Sequence, residues 1–212
     1  MKNEPLGFGL DFGLTPTVVV GQPVKGKRRI YAAFTAQHAG IKQLIENEVL
    51  PWLNRFAPWT LRQTNMIYGC YDISGQTSEQ SDIERDPISI VETLLPGLWY
   101  PGPVRWEPRL HTIISAMNHH VRPGEPSLEI DPVDGAGLIK ALSGRWHYAT
   151  DRLGQVRRDV PKKPNHPWED YGDACIYWLW SLTSETQPPA TIKVETQFSL
   201  NPTVQVESSF SL

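Results

Sequence analysis

The sequence predicts one α/β domain, in which helices flank a central mixed β-sheet and a separate β-hairpin is added. Three observations lead to this fold class. Three strand-like stretches separated by turn signals occupy residues 6–36, and a helix followed by an apolar strand occupies residues 41–71. An amphipathic helix then runs from Trp168 to Leu182. At 212 residues, 40% hydrophobic and 20% charged, the chain is long enough to bury one core.

The first half of the chain alternates between strands and a helix. Leu6–Phe12, Thr17–Gln22 and Arg29–Phe34 are predicted to form an antiparallel meander. Apolar residues at helical spacing follow until Pro58, namely Ile41, Leu44, Ile45, Val49, Trp52 and Leu53. Residues 66–71 are almost all apolar, which is typical of a strand buried on both faces.

In the second half, short elements precede the final helix. Asp86-Pro87 has the pattern of an N-cap followed by proline, and a Pro- and Gly-rich loop comes after the helix that it begins. The predicted elements are helices over 88–95, 110–121 and 138–142, a strand over 128–130, and a hairpin formed by 146–149 and 155–157. Residues 1–183 are expected to form the domain, and residues 184–212 an extended or partly disordered tail.

Several classes of protein are excluded. The glycines at positions 7, 9 and 13 lack the spacing and the following helix of a dinucleotide-binding motif, and there is no Gly-Lys-Ser/Thr loop for ATP. The predicted helical pair His119-His120 has no partner at zinc-site spacing. Cys70 and Cys175 lie far apart in apolar segments and are expected to be reduced core residues. With no signal peptide and no run of about 18 apolar residues, a cytosolic location is expected.

Three aspartates lie where the predicted sheet meets its last helix. Asp11 lies in an apolar strand, where an ionised carboxylate must be paired or bound to metal because burying it alone is costly. Asp72 ends the next core strand, and Asp173 lies on the arc of the final helix opposite its apolar residues, only about 60° from Asp170. Each alone has an ordinary explanation, as a turn or helix-surface residue. Together they predict a carboxylate site, whereas Asp82, Glu84 and Asp86 are interpreted as solvated loop acids.

A basic run lies close to this site although the chain has a net charge of −3. It begins before the predicted hairpin and ends before the final helix. Its members are Arg145, Arg152, Arg157, Arg158, Lys162 and Lys163. Such a run is either a solvated face or a surface that binds the phosphates of a nucleic acid.

Several of these segments resemble the nuclease domain of tailed-phage terminase large subunits. Residues 6–20 resemble its opening strand pair, where a Gly-x-Asp-Phe/Trp-Gly segment supplies the first catalytic aspartate. Residues 40–56 resemble the helix before the second acid, and residues 71–75 resemble its Asp-Pro-Ala-Gly stretch, with Ile73 and Ser74 replacing Pro and Ala. Residues 138–148 resemble the segment before the hairpin, and Lys163-Pro-Asn-His166 followed by Asp173-Ala174 resembles the closing pattern. The resemblance covers residues 6–182.

This resemblance implies a ribonuclease H-like fold and two-metal hydrolysis of phosphodiester bonds in double-stranded DNA. Asp11 would bridge two Mg²⁺ or Mn²⁺ ions about 4 Å apart, and Asp72 and Asp173 would each complete one of them. Asp170 is a possible additional ligand, at a position where relatives can carry histidine. The implied partners are DNA, a terminase ATPase domain, the small terminase subunit and the portal protein, in the cytoplasm of the host cell.

Two other classes of function remain open. A Holliday-junction resolvase or a ribonuclease H would use the same acids on a different substrate. A packaging-complex docking module with an inactive metal site would bind its partners without cutting DNA.

Overall fold

A six-stranded mixed sheet forms the centre of the molecule. The computed structural model describes residues 3–13, 15–63, 65–73, 86–161 and 165–183. In chain order the strands are β1 (Leu6–Asp11), β2 (Thr17–Val24), β3 (Lys27–Thr35), β4 (Ile67–Tyr71), β5 (Leu98–Pro101), β6 (His120–Arg122), β7 (Glu125–Pro126), β8 (Leu128–Ile130), β9 (Tyr148–Thr150) and β10 (Val156–Pro161). The central sheet has the order β5-β4-β1-β2-β3-β8, while β6 and β7 form one hairpin and β9 and β10 another.

Parallel and antiparallel pairs both occur in the central sheet, as the sequence predicts. β1, β2 and β3 form the antiparallel meander. β4 pairs with β1 in parallel, β5 with β4 and β8 with β3. The predicted mixed sheet and the additional hairpin β9–β10 are therefore confirmed.

Helices cover both faces of this sheet. They are α1 (Ile41–Leu44), α2 (Leu50–Phe56), α3 (Pro87–Leu94), α4 (Trp106–Asn118), α5 (Ala136–Lys140) and α6 (Trp168–Trp180). A π-helical turn (Ile45–Val49) joins α1 to α2, a 3₁₀ turn (Pro58–Leu61) follows α2, and a second π-type turn (Ala141–Arg145) follows α5. Among the described residues, no helix has the length and apolar character needed to cross a membrane.

The side chains of β1 alternate between the two helical layers. Leu6, Phe8 and Leu10 belong to the core that also contains residues of α1, α2 and α3. Gly7 and Gly9 face the opposite layer, where α6 lies on the sheet. Because successive side chains of a strand point to opposite faces, Asp11 is on the same face as these two glycines.

The lack of a side chain at three positions lets α6 approach the sheet closely. A Cβ at Gly9 would overlap the carbonyl oxygen of Ala174 and the backbone nitrogen of Trp178. The indole of Trp178 lies against Gly7 and Gly21, where a Cβ would also be too close to it. The glycines of β1 and β2 therefore form a groove that receives one face of α6.

Some of the local sequence predictions are confirmed. The Asp86 carboxylate accepts a hydrogen bond from the backbone N–H of Ser89 at 2.8 Å, so Asp86 is the N-cap of α3, with Pro87 at its first position. This hydrogen bond holds the pKa of Asp86 below its usual range. Cys70 and Cys175 are both buried free thiols. Asp82 and Glu84 lie outside the described residues, as does the predicted tail.

Other local predictions are wrong, chiefly between residues 96 and 122. The predicted Pro- and Gly-rich loop contains β5, whose pairing with β4 outweighs the turn-forming composition around it. The next helix begins at Trp106 and ends at Asn118, before the predicted end at residue 121. His119 is the C-cap of this helix and His120 lies in β6, so the histidine pair is not helical.

We predict that replacing Gly9 by alanine lowers the free energy of unfolding by about 3 kcal/mol, near the upper end of the usual cost of overpacking. The added Cβ meets the backbone of α6, which cannot move without lifting the helix from the sheet. Chemical denaturation followed by circular dichroism measures the loss. Gly13→Ala is the matched control, because a Cβ there makes only ordinary contacts of 3.4 Å or more. Equal stability of the two variants would contradict this account of the groove.

Candidate metal centre

Asp11 is the last residue of β1 and lies at the edge of the sheet under α6. Its side chain is only 6% exposed. Two features of the sequence place it there. The strand alternation turns it toward the layer of α6, and the glycines before it let that helix come close.

Asp72 lies beside Asp11 because the ladder between β1 and β4 continues for one more residue. The backbone N–H of Asp72 donates a hydrogen bond to the carbonyl oxygen of Leu10 at 3.0 Å. Tyr68 lies next to Gly7 and Trp178 on the face of the sheet that α6 covers. Asp72 is four residues further along the same strand direction, so its side chain is expected on that face as well. Parallel pairing therefore brings the carboxyl ends of the two strands, and with them the first two predicted acids, to one edge of the sheet.

Asp170 and Asp173 approach the same edge from α6. The sequence predicts that they lie on a polar arc, opposite the apolar residues, and this is wrong. Every residue of α6 from Glu169 to Leu179 is buried, because α4 and α5 pack against the helix on sides that the sheet does not cover. Asp170 and Asp173 are 3% and 4% exposed, so both carboxylates lie inside the protein.

The electrostatics of Asp11 show that these four acids share one site. Burial raises the pKa of Asp11 well above its usual value, and the nearby charges of Asp173, Asp170 and Asp72 raise it further. The guanidinium of Arg109 acts in the opposite direction. The structure thus places Asp72, Asp170 and Asp173 close enough to Asp11 for their charges to raise its pKa.

Arg109 is a member of this site that the sequence analysis misses. It extends from α4, is 12% exposed, and forms an ion pair with Oδ1 of Asp173. Burial by itself lowers the pKa of Arg109, but Asp173, Tyr177 and Asp11 together raise it above its ordinary value. One signal in the sequence was available: Arg109 lies at helical spacing from Trp106 and Ile113, which places a charge on the apolar side of α4.

A histidine lies next to Asp170 on the side away from Asp173. The Nδ1–H of His166 donates a hydrogen bond to Oδ2 of Asp170 at 2.8 Å, and the same nitrogen is 3.5 Å from Oε1 of Glu169. Potential ligand atoms of His166, Glu169 and Asp170 all lie within 4.8 Å of one another. In the sequence His166 is only one residue of the closing motif. The structure adds His166 and Glu169 to the surroundings of the site.

The four acids offer oxygen donors of the kind that a hard divalent cation prefers. Gly13 lies between two of them: a Cβ there would be 3.4 Å from Oδ1 of Asp170 and 3.8 Å from Oδ2 of Asp11. A side chain at this position would occupy space next to both carboxylates, and glycine leaves that space open. Oxygen-only donors with an excess of negative charge suit Mg²⁺ or Mn²⁺ rather than a soft metal.

Part of the predicted basic run lies on the exposed hairpin β9–β10. Arg152, in the turn, and Arg157, on β10, are exposed. The turn is held by Oδ1 of Asp151, which accepts hydrogen bonds at 2.8 Å from the backbone N–H groups of residues 153 and 155. Exposed Arg145 stacks over the ring of Trp168 at 5.8 Å. Lys162, Lys163 and the side chain of Arg158 lie outside the described part of the chain.

Comparison with known proteins gives matches in structure but not in sequence. No protein-family model matches the chain, and no curated protein does so either. The nuclease domain of the large terminase g2p from bacteriophage SPP1, solved with bound Mn, superposes with a TM-score of 0.54 at 15% identity. That match covers 84% of this chain and 86% of the SPP1 domain.

The large terminase of a thermophilic bacteriophage superposes with a TM-score of 0.56 at 11% identity. The match again covers 84% of this chain, but only 40% of the thermophilic phage protein, so the chain corresponds to a part of that longer protein. Both superpositions extend over 84% of this chain. The chain therefore has the ribonuclease H-like α/β fold of the nuclease domain of phage large terminases.

Proposed function

We propose that this chain is a divalent-metal-dependent endonuclease that cuts double-stranded DNA during phage genome packaging. The observation that carries the proposal is the meeting of four acids at the edge of the sheet, with the pKa of Asp11 raised by burial and by the other three. The fold shared with the Mn-bound SPP1 nuclease domain supports the same class of reaction.

The acids have distinct roles in this proposal. Asp11, Asp72 and Asp173 would hold Mg²⁺ or Mn²⁺, with Asp170 as an additional ligand. When bound there, the cation supplies activation of water and stabilisation of negative charge at the scissile phosphate. The hydrogen bond from His166 fixes the orientation of the Asp170 carboxylate, as second partners of metal ligands commonly do.

The hairpin β9–β10 is the proposed DNA-binding element. Arg145, Arg152 and Arg157 are exposed and come before α6, the helix of Asp170 and Asp173, in the chain. Arg145 also stacks over Trp168, the first residue of that helix. We include Arg158, Lys162 and Lys163 because they continue the same basic run. Positive charge here would hold the phosphates of a duplex while one phosphodiester bond reaches the acids.

The likeness to terminase nuclease domains supports a proposal about the biological setting. We propose that residues 1–183 act as the nuclease unit in the host cell cytoplasm, together with a terminase ATPase domain, the small terminase subunit and the portal protein. The motor would supply DNA affinity that a chain with a net charge of −3 lacks on its own.

The acids can be tested by substitution with the isosteric amide. We predict that Asp11→Asn, Asp72→Asn and Asp173→Asn each slow Mg²⁺-dependent plasmid cleavage by more than about a hundredfold. Loss of a residue that only hydrogen-bonds a metal ligand usually costs up to about a hundredfold, and loss of a ligand itself should cost more. Stability should differ among them. Asp11→Asn removes like-charge repulsion and keeps or raises the thermal midpoint, whereas Asp173→Asn leaves buried Arg109 without its ion pair and lowers it.

Glu92→Gln is the matched control, because it makes the same chemical change at an exposed position of α3. The same assay on a four-way junction and on an RNA–DNA hybrid separates the candidate substrates. Faster cleavage of the junction or the hybrid than of plain duplex would show that the proposed substrate is wrong. Cleavage by the wild-type protein in excess chelator would refute metal dependence.

Gly13 tests whether the cation lies between Asp11 and Asp170. We predict that Gly13→Ala weakens Mn²⁺ binding by about tenfold, the size of effect that altered surroundings of metal ligands produce. Its thermal midpoint without metal should stay close to that of the wild type, because the added Cβ makes only ordinary contacts. Isothermal titration calorimetry measures the affinity. Unchanged affinity would place the cation away from Gly13.

The arginines of the hairpin can be tested through the salt dependence of DNA binding. We predict that Arg152→Ala combined with Arg157→Ala lowers affinity and makes the log–log salt slope shallower by about 1 to 2, since each phosphate contact contributes about 0.9. Mn²⁺ binding should not change. Arg55→Ala combined with Arg62→Ala is the control. Both arginines are exposed and belong to the opposite helical layer, Arg55 in α2 and Arg62 just after the 3₁₀ turn that follows it. An equal effect of both pairs would show that the hairpin has no special role.

A further inference from the structure

Arg109 places a fixed positive charge inside the acidic site. Its guanidinium pairs with Oδ1 of Asp173, and its charge also reaches Asp11, whose pKa it lowers. A buried ion pair of this kind persists only where its geometry and surroundings compensate for the loss of hydration. The site thus contains a positive charge that is part of the chain itself.

Two aromatic rings hold this guanidinium in place. Its central carbon lies 5.3 Å from the ring centroid of Tyr177 on α6 and 5.7 Å from that of Trp106 on α4. Trp106 in turn packs edge-to-face against Trp146 and Tyr148, at ring distances of 6.0 and 6.5 Å. Cation–π contacts and this packing restrict the side chain to the position at Asp173.

We propose that Arg109 is a built-in counter-ion that competes with a divalent cation for Asp173, so that the DNA-free protein holds one ion rather than two. This inference rests on the proposed function. The first ion would be held by Asp11, Asp72 and Asp170, with the ion pair between Arg109 and Asp173 intact. Asp173 would become a ligand only when a second ion displaces the guanidinium. A second ion bound to Asp173 would have to displace the Arg109 guanidinium or lie beside it. Side by side, the positive ion and the positive guanidinium would repel each other strongly, because the site is buried.

The competition distinguishes this chain from the two-ion site that the sequence resemblance implies. The resemblance implies two ions held by the carboxylates of Asp11, Asp72 and Asp173. Arg109 comes from α4, outside the segments that carry the resemblance. Arg109 is therefore a positioning residue: it acts through Asp173 and sets how many metal ions the acids accept.

The test counts Mn²⁺ ions in the absence of DNA. Calorimetry gives the number and affinity of bound ions, and electron paramagnetic resonance detects the spin coupling of two adjacent Mn²⁺ ions. We expect one ion and no coupled signal for the wild type. Arg109→Gln should bind a second ion with an affinity on the order of tenfold or more above any second site in the wild type, and should show the coupled signal.

Two further variants separate charge from structure. Arg109→Lys keeps a positive charge beside Asp173 and should retain one ion. Arg105→Gln, which changes an exposed arginine one turn earlier, at the N-cap of α4, should behave as the wild type. Without metal, Arg109→Gln should have a lower thermal midpoint, and added Mn²⁺ should raise its midpoint more than that of the wild type, because the ion replaces the lost charge.

The possible failures are distinguishable. Two ions of similar affinity in the wild type, or unchanged ion number and affinity in Arg109→Gln, overturn the role of Arg109 and leave the metal-dependent nuclease intact. If Arg109→Gln fails to fold, two ions of similar affinity in the wild type still overturn the role of Arg109. Absence of any Mn²⁺ binding by the wild type at millimolar concentration overturns the proposed function itself, and the role of Arg109 with it.

Discussion

The close contact between α6 and β1, which only glycine permits, is the constraint on which the rest of the structure depends. Gly7 and Gly9 let the backbone of α6 lie directly on the strand, and Asp11 is the next residue on the same face. The alternation of side chains along β1 therefore places the glycines that α6 packs against and the aspartate of the site on the same face of the sheet. If the helix were held farther away by ordinary side chains, its two aspartates would not meet the acids of the strands.

The same contact creates an electrostatic cost. Four carboxylates at one buried edge repel one another, and the raised pKa of Asp11 reflects both this repulsion and its burial. Arg109 offsets part of the cost within the chain, and a bound cation would offset the remainder. A positive side chain such as Arg109 stabilises the protein without metal because it neutralises part of the acidic charge. For the same reason it weakens the attraction of the acids for a metal ion.

The sequence predicts much of this site because the relevant signals are local. Alternation along β1, an apolar strand that ends in Asp72 and two acids three residues apart on one helix are enough to propose a cluster. Burial of α6 on all sides could not be predicted, since its coverage by α4 and α5 depends on distant packing. Arg109 was missed for a related reason. Its partner, Asp173, lies far along the chain, and only the charge on the apolar side of α4 hinted at it.

The central claim is that the acids at the edge of the sheet bind a divalent cation, and anomalous diffraction from crystals soaked in Mn²⁺ tests it most directly. The account predicts an anomalous peak in contact with carboxylate oxygens of Asp11 and Asp72, near Gly13, with Arg109 still on Asp173. A well-ordered site without any peak at millimolar Mn²⁺, or a peak bound only by residues elsewhere in the molecule, would contradict it.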